Sequence, residues 1–529
     1  MTAMGPSISA VGVPSNDRRI LIAWVLAALV LRLPGHIDSG LWFDEIWLLV
    51  ESIRVPFGTV FTTFESDNNH PFYTVLAWLS VHGLGESAWT LRLPAVLFGA
   101  ASIGMMWTFA LRVAPRAEAT LATALLLVSY HHVWFSQNAR GYTMLLFWTL
   151  AATHFFVRTL DGEGRRAWIP YGICLALATY THASAVVVAL AHAGVALAAV
   201  AVLSRSPEAR STRGGMEALA GLALGGVASL ALHAAMLGGM LAFFTGESGA
   251  DVAAAADAAG GETSPLAGSE WTSIWWTVRA VVESLGVPTA VGFAGLAVAA
   301  AVGVAGTWVV VRRDWRLGAL YVLPVLLGVA TTVGLGRPLR PRFFFHLSGF
   351  ALLVAVAGIF VVARALARWG QAGRSHDAGD DEPQPHLGRA PRPAAEQWLI
   401  GGAAAVTLLA SLAILPRAYT LPKQDFEGAL AYVSAARSGG DAVATLGLTT
   451  LPYHDYYRSG FDVVDSVTDL DRLLAEHEVV FVLHTIPIFL ESTAADLAAR
   501  LVPSAEVARF RGSLGDGDVV VYRLVGGAP

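Results

Sequence analysis

The sequence predicts an all-α polytopic membrane protein, with about eleven transmembrane helices plus interfacial helices, followed by a small C-terminal extracytoplasmic α/β domain. Three observations carry that reading. Apolar residues make up 55% of 529 and charged residues 14%, where a soluble domain carries about a quarter charged residues. Arginine clusters recur in alternate loops between the apolar runs, as orientation in a bilayer requires. After residue 416 the long apolar runs stop, and short β-branched stretches alternate with helix-like ones.

The excess of apolar residues sits in runs such as Ile20–Leu33, Leu91–Leu111 and Val291–Val311, which have the length of spanning helices. The net charge of −5 selects no partner, and nothing calls for nucleic acid. Cys174 stands alone inside an apolar run, so no intrachain disulfide forms and packing must hold the fold. Residues 1–19 read as a cytoplasmic N-terminus. The run Ile20–Leu33 is followed by no small-residue cleavage pattern, so it reads as a retained first helix.

Helices are expected near 20–34, 90–111, 118–135, 141–159, 168–182, 183–203, 216–240, 286–311, 317–336, 343–363 and 397–415, within a transmembrane unit of residues 20–416. Arg18 and Arg19, Arg112 and Arg116, Arg158 with Arg165 and Arg166, Arg205 to Arg213, Arg312 to Arg316, and Arg364 to Arg374 all fall on one side if the N-terminus is cytoplasmic. Pro71–Gly83 decides the count. At 13 residues it is too short to span easily, and counting it would flip every later loop. It reads as an interfacial or re-entrant helix on the outer face. The outer face then receives loop 35–89, the tip around Ser136–Arg140 and the acidic loop 241–283. Residues 366–396, rich in Pro, Gly, Asp, His and Arg over Gly370–Pro393, read as a disordered cytoplasmic linker.

In the C-terminal domain, 417–529, Ala442–Leu446, Val479–Leu483 and Val519–Leu524 read as short buried strands. Phe426–Ala436, Asp469–Glu476 and Ala494–Leu501 read as helices.

The first chemical signal is Trp42-Phe43-Asp44-Glu45 just after the first span. Adjacent carboxylates at a membrane surface are costly unless solvated, paired or used. An exposed interfacial pair is the plain reading. The functional one is a general base, since a sugar hydroxyl is a poor nucleophile until a placed carboxylate takes its proton. Asp67-Asn68-Asn69-His70-Pro71 opens the interfacial helix, where Pro71 suits a first turn and the polar residues can cap it. His70 at a helix start can also meet a phosphate.

The third signal is Trp134-Phe135-Ser136-Gln137-Asn138-Ala139-Arg140-Gly141-Tyr142. Arg140 breaks the positive-inside trend, as do Arg337, Arg340 and Arg342. Single cases fit interfacial snorkelling. Three arginines within six residues, with Pro338 and Pro341 between them, ask for an anion, which guanidinium binds in bidentate fashion. Tyr180-Thr181-His182 ends a span on the same side, with His182 either lining that site or capping. No phosphate-binding glycine loop, dinucleotide fingerprint or Cys/His metal knuckle is present.

These residues, in this order, resemble the GT-C membrane glycosyltransferases, in particular the protein O-mannosyltransferases and aminoarabinose-lipid A transferases of glycosyltransferase family 39/83. Leu41-Trp42-Phe43-Asp44-Glu45, His70-Pro71-Phe72-Tyr73, Leu91-Arg92-Leu93-Pro94, the 134–142 segment and Tyr180-Thr181-His182 carry the likeness, which weakens beyond residue 205. It implies a polyprenyl-phosphate-linked sugar donor, a glycan, lipid or protein acceptor at the outer face, and inversion at the anomeric carbon. It further implies that Asp44, with Glu45, does the acid–base work. His70, Asn138, Arg140, Tyr142, His182, Arg337, Arg340 and Arg342 would hold donor phosphate or substrate. Relatives often carry Glu where this chain has Asn138, which can hydrogen-bond but not act as a base. No cofactor is required by this reading; it leaves room for a divalent cation but assigns no metal ligand. The competing readings are a lipid or glycan transporter or flippase, and a non-catalytic membrane homologue. They separate on geometry: transfer requires Asp44, His70, Arg140 and Arg342 to converge.

Overall fold

The structure, a computed structural model, describes residues 15–34, 40–64, 69–203, 209–245, 289–334, 339–377, 394–514 and 517–526, with Trp275, Val278, Arg279 and Val282. Asp67, Asn68, Arg337, Pro338, most of loop 241–283 and the 378–393 part of the linker lie outside the described residues.

The chain opens with α1 (Ser15–Arg32), α2 (Phe43–Trp47), α3 (Pro71–Leu84) and α4 (Ala88–Val113). The interfacial helix is α3. Its 14 residues rise ~21 Å at ~1.5 Å per residue, short of a hydrocarbon core of about 30 Å. Pro71 occupies its first turn, where the missing N–H costs nothing. Ser87 caps α4: its hydroxyl accepts from the Thr90 N–H while Thr90 Oγ1 accepts from the Ser87 N–H.

Two expectations change. The span drawn over 118–135 is two helices, α5 (Arg116–Leu127) and α6 (Tyr130–Ser136). Ser129 breaks it by capping α6, accepting from the His132 N–H. The helix drawn over 216–240 likewise divides into α10 (Ala209–His233) and α11 (Leu237–Thr245). Between α6 and α10 run α7 (Tyr142–Leu160), α8 (Arg165–Thr181) and α9 (Val186–Leu203). Among the described residues, eight helices are long and apolar enough by length and composition alone to cross a membrane. Those below that mark include α1, which carries Asp17, Arg18, Arg19 and Arg32, the 12-residue α5 and the 17-residue α8. The chain is a multi-pass membrane protein.

The remaining long helices are Thr289–Arg313, Trp315–Gly334, Ser348–Asp377 and Ala394–Ile414, with a 3-10 segment, Pro341–Leu347, leading into the third. Beyond them lies one five-stranded sheet in the order β2-β1-β3-β5-β4: β1 (Ala442–Leu446), β2 (Asp462–Val464), β3 (Val479–Thr485), β4 (Glu506–Phe510) and β5 (Val519–Val525). β1 is parallel to β2 and β3, whereas β5 is antiparallel to β3 and β4. β1 and β3 are buried along their whole length, which explains why they read as continuous apolar runs. One face of the sheet packs on Leu470, Leu473 and Leu497. The other, through Val443, Phe481 and Val519, shares a core with Phe426 and with Leu41, Phe43 and Ile46, which precede α3.

Candidate active site

Trp42 caps the five-residue α2, and Glu45 Oε2 reaches back to accept its N–H at 3.4 Å. Acidic residues in a first helical turn suit the exposed amides there. Successive residues point ~100° apart around a helix, so the two carboxylates diverge. Glu45 is completely buried. Its Oε1 accepts from Arg92 Nε at 2.7 Å and from the Ala139 N–H at 2.8 Å, and its Oε2 accepts from Arg92 Nη2. Burial alone would raise its carboxyl, but Arg92, then Lys423 and the Ala139 amide, hold it down at about 2. A carboxylate so saturated is a poor proton acceptor. The expectation that Glu45 shares the base role does not fit these surroundings; it anchors α2 to α4 and to the 136–140 tip.

Asp44 points elsewhere and keeps partial exposure. Its Oδ2 lies 3.4 Å from Arg140 Nη2 and 3.6 Å from Arg342 Nη1. Arg140 belongs to the turn before α7, where its N–H donates to the Asn138 carbonyl. Arg342 belongs to the 3-10 segment, and its guanidinium also sits over the Phe343 ring. Arg340 caps that segment, and its charge acts with those of Arg342, Arg140 and Asp44 on the Tyr142 hydroxyl.

Imidazoles line the same site. The buried His70 ring lies 4.8 Å from both the Tyr142 and the His182 rings. Neither of its nitrogens makes a well-formed hydrogen bond, although the Thr181 backbone lies beside it. As the N-cap it makes no side-chain capping bond, so the ring is left to the site. Burial, and then the charges of Arg140, His182 and Arg342, hold it well below its ordinary range, hence neutral. His182 caps the next turn: its Nδ1 accepts the Ser184 N–H at 3.1 Å, and its Nε2 has no partner. A Cβ at position 141 would come within 3.0 Å of His70 Nδ1, so Gly141 lets the turn approach this ring. Asn138 is buried; its Oδ1 accepts from Trp42 Nε1 at 3.1 Å and its Nδ2 is unpartnered.

The structure therefore brings together Asp44, His70, Arg140, Tyr142, His182, Arg340 and Arg342. It separates Glu45 from them by role, and Arg337 lies outside the described residues. Sequence reasoning missed four residues. Arg92 carried a signal, since a charge inside an apolar span needs a partner. His346, buried with neither ring nitrogen in a well-formed hydrogen bond although the Phe343 backbone lies beside it, acts on His182 from the end of the 3-10 segment. Lys423 and Gln424 gave none; they reach the site's loops from beyond the last span. As for a divalent cation, Asp44 faces two arginines and Asn138 Oδ1 is taken. Among the described residues no three His, Cys, Asp or Glu side chains converge as ligands. The described side chains form no cation-ligating set, and no step is assigned to a cation.

The family described as dolichyl-phosphate-mannose-protein mannosyltransferase matches residues 68–221. ArnT from Cupriavidus metallidurans, solved in the apo state, is similar in structure at a TM-score of 0.51 and 14% identity, covering 96% of this chain and 98% of that one. The same protein bound to undecaprenyl phosphate gives 0.46 and 13%, over 98% and 100%. The Archaeoglobus fulgidus oligosaccharyltransferase tethered with an acceptor peptide gives 0.49 and 11%, over 92% and 72%. No curated protein matches the sequence. The apo ArnT match shows that this chain has the GT-C fold.

Proposed function

We propose that this GT-C-fold membrane protein is a glycosyltransferase moving a monosaccharide from a polyprenyl-phosphate donor to an acceptor at the extracytoplasmic face, with Asp44 as the general base. The observation that carries this reading is the convergence of Arg140 and Arg342, from elements some two hundred residues apart in sequence, on one Asp44 oxygen at 3.4 and 3.6 Å. Those separations exceed the ~2.7–2.9 Å of a tight charge-assisted hydrogen bond. Two guanidiniums converging on one carboxylate make a positive site suited to a phosphate. The description of the matched family, a dolichyl-phosphate-mannose transferase, agrees with a lipid phosphate there.

On this reading the donor phosphate competes with Asp44 for the two arginines. The displaced carboxylate then accepts the proton of an acceptor hydroxyl as its oxygen attacks the anomeric carbon. The anomeric carbon–oxygen bond breaks, its electron pair leaves on the polyprenyl phosphate, and Arg140 and Arg342 hold the charge that develops. A single displacement inverts the anomeric centre. His182 Nε2 carries the ring proton, because Nδ1 accepts from Ser184, and offers it to substrate oxygens together with the neutral His70 ring. The N-terminus lies in the cytoplasm and the C-terminal domain outside it, in line with the alternation of arginine-rich loops.

Incubation of the purified protein with a panel of undecaprenyl-phosphate sugars tests the function. Consumption of one donor, with release of undecaprenyl phosphate, is expected; inertness toward every donor and acceptor tried would count against transfer. A reporter active only in the cytoplasm, fused at the C-terminus, should stay silent, and a strong signal would invert the topology.

A further inference from the structure

The chain between the last long helix and the C-terminal sheet runs through the back of the candidate site. Lys423 is buried, and its Nζ donates to the Gln137 carbonyl at 2.6 Å. The same ammonium lies 4.0 Å from Glu45 Oε1 and 5.6 Å from the centre of the Trp134 ring. Gln424 is buried beside it: its Oε1 accepts the Phe43 N–H at 3.0 Å, and its Nε2 donates to Thr485 Oγ1 of β3 at 3.1 Å. Phe43 directly precedes Asp44, and Gln137 stands three residues before Arg140.

The strap is itself held down. The Ser513 N–H donates to the Pro422 carbonyl and the Leu514 N–H to that of Lys423. Ser513 Oγ accepts from Trp134 Nε1 at 2.9 Å. A Cβ at position 512 would come 2.2 Å from the Lys423 carbonyl oxygen, so only glycine lets the two segments lie this close. The shared core of Phe43, Ile46, Phe426 and Phe481 backs the arrangement.

We infer that Lys423 and Gln424 are positioning residues through which the C-terminal domain sets the placement of Asp44 and Arg140. The inference rests on the function proposed above. Neither residue touches the reacting groups. Gln424 fixes the amide that starts α2, Lys423 fixes the tip that leads to Arg140, and Thr485 ties Gln424 to the sheet. A base and a phosphate anchor carried by two separate loops need a common support if their separation is to hold, and displacement by about 1 Å can lower a rate about 10²-fold. Charge matters as well as reach. Burial pulls the Lys423 amine down to about 7, an effect that Glu45 opposes and Arg92 adds to. As pH rises through that value the ammonium loses its proton, and with it the pull on Glu45 and the Gln137 carbonyl.

The test compares full-length wild type with Gln424→Ala, Lys423→Met and Lys423→Arg, using hydrogen exchange and turnover of the donor that the wild type consumes. Exchange should quicken in 40–47 and 134–142 for the Ala and Met variants while β1 and β3 stay protected. Their kcat should fall about 10-fold or more with donor KM nearly unchanged, as displacement of the base predicts. Lys423→Arg should restore most of the rate and shift the alkaline fall in activity upward. Unchanged exchange in both segments would overturn the inference, whether or not any donor turns over. Loss of rate with no change in exchange would overturn it too. If Lys423→Met loosens the sheet itself, Gln424→Ala, which removes the bonds to the Phe43 N–H and to Thr485 Oγ1 but strands no charge, decides alone.

Discussion

Two polar clusters lie a few residues apart on the same tip, and only one of them is closed. In the first, the fully buried Arg32 donates from Nε to Ser136 Oγ at 3.1 Å, from Nη1 to the Ala28 carbonyl, and from Nη2 to the Leu127 carbonyl and to His132 Nδ1 at 2.7 Å. His132 Nε2 then meets Ser102 Oγ at 2.8 Å, and Ser102 donates to the Gly99 carbonyl. No side-chain nitrogen or oxygen of Arg32, Ser102, His132 or Ser136 is left without a partner. In the second, around Asp44, the rings of His70, His182 and His346 and the amide of Asn138 each leave a buried nitrogen without a partner. Unmet buried polar atoms cost about 1–3 kcal/mol each, and such atoms in a native fold ask for an explanation. The same residue types thus do different work. The closed cluster supports the loop, and on the proposed function the open one is completed by substrate.

The sharpest break in that contrast is a stability change with no substrate present. Arg92→Met leaves the Glu45 carboxylate buried without its guanidinium, which should cost about 3–5 kcal/mol. A large fall in melting temperature in detergent checks it, and an unchanged melt would mean that Glu45 is not held as described. Arg32→Met should follow, at about 1–3 kcal/mol for the acceptors it strands. His70→Gln, by contrast, breaks no well-formed hydrogen bond and should alter melting little while weakening donor binding. Equal losses of stability at Arg32 and His70 would erase the distinction between the clusters.

Much of the fold was legible before any coordinates. Interfacial α3, the long helices and β1, β3 and β5 follow from length, apolar runs and β-branched stretches. β2 did not, because Asp462–Val464 spans three residues. β4 did not either, because Glu506–Phe510 carries Glu506 and Arg509 on a partly exposed edge. Ser129 hid its helix break inside an apolar run, since one cap is weak evidence until the next helix is seen to turn. In the site, the motifs naming Asp44, His70, Arg140 and Arg342 do converge. The difference between Asp44 and Glu45 was not legible, because it depends on which face of α2 meets Arg92, a partner 47 residues away.

Smaller effects refine the open cluster. Arg342→Lys keeps charge but loses the planar fork, so apparent donor affinity should weaken by a few-fold, on the order of 1 kcal/mol, with Arg342→Ala weakening it more. Identical donor titrations for all three proteins would reduce Arg342 to an interfacial anchor. The pH dependence is smaller still. His70 is held well below its ordinary range by burial, then by Arg140, His182 and Arg342, so it stays neutral near pH 6–7, where a free histidine titrates at about 6.5. The unfolded chain takes up that proton near pH 6.5 and the folded chain does not, so the His70 contribution to stability falls as pH drops through that value. Donor binding should show no inflection there. One that His70→Gln removes would place a charged imidazole in the site.

The central claim is that Asp44, and not its neighbour, takes the proton. Turnover of the consumed donor by Asp44→Asn, measured beside Arg342→Ala and wild type in the same detergent, tests it most directly. The account predicts a fall of about 10²-fold or more for Asp44→Asn, with expression, melting temperature and donor binding retained. Turnover near the wild-type rate in Asp44→Asn would contradict it.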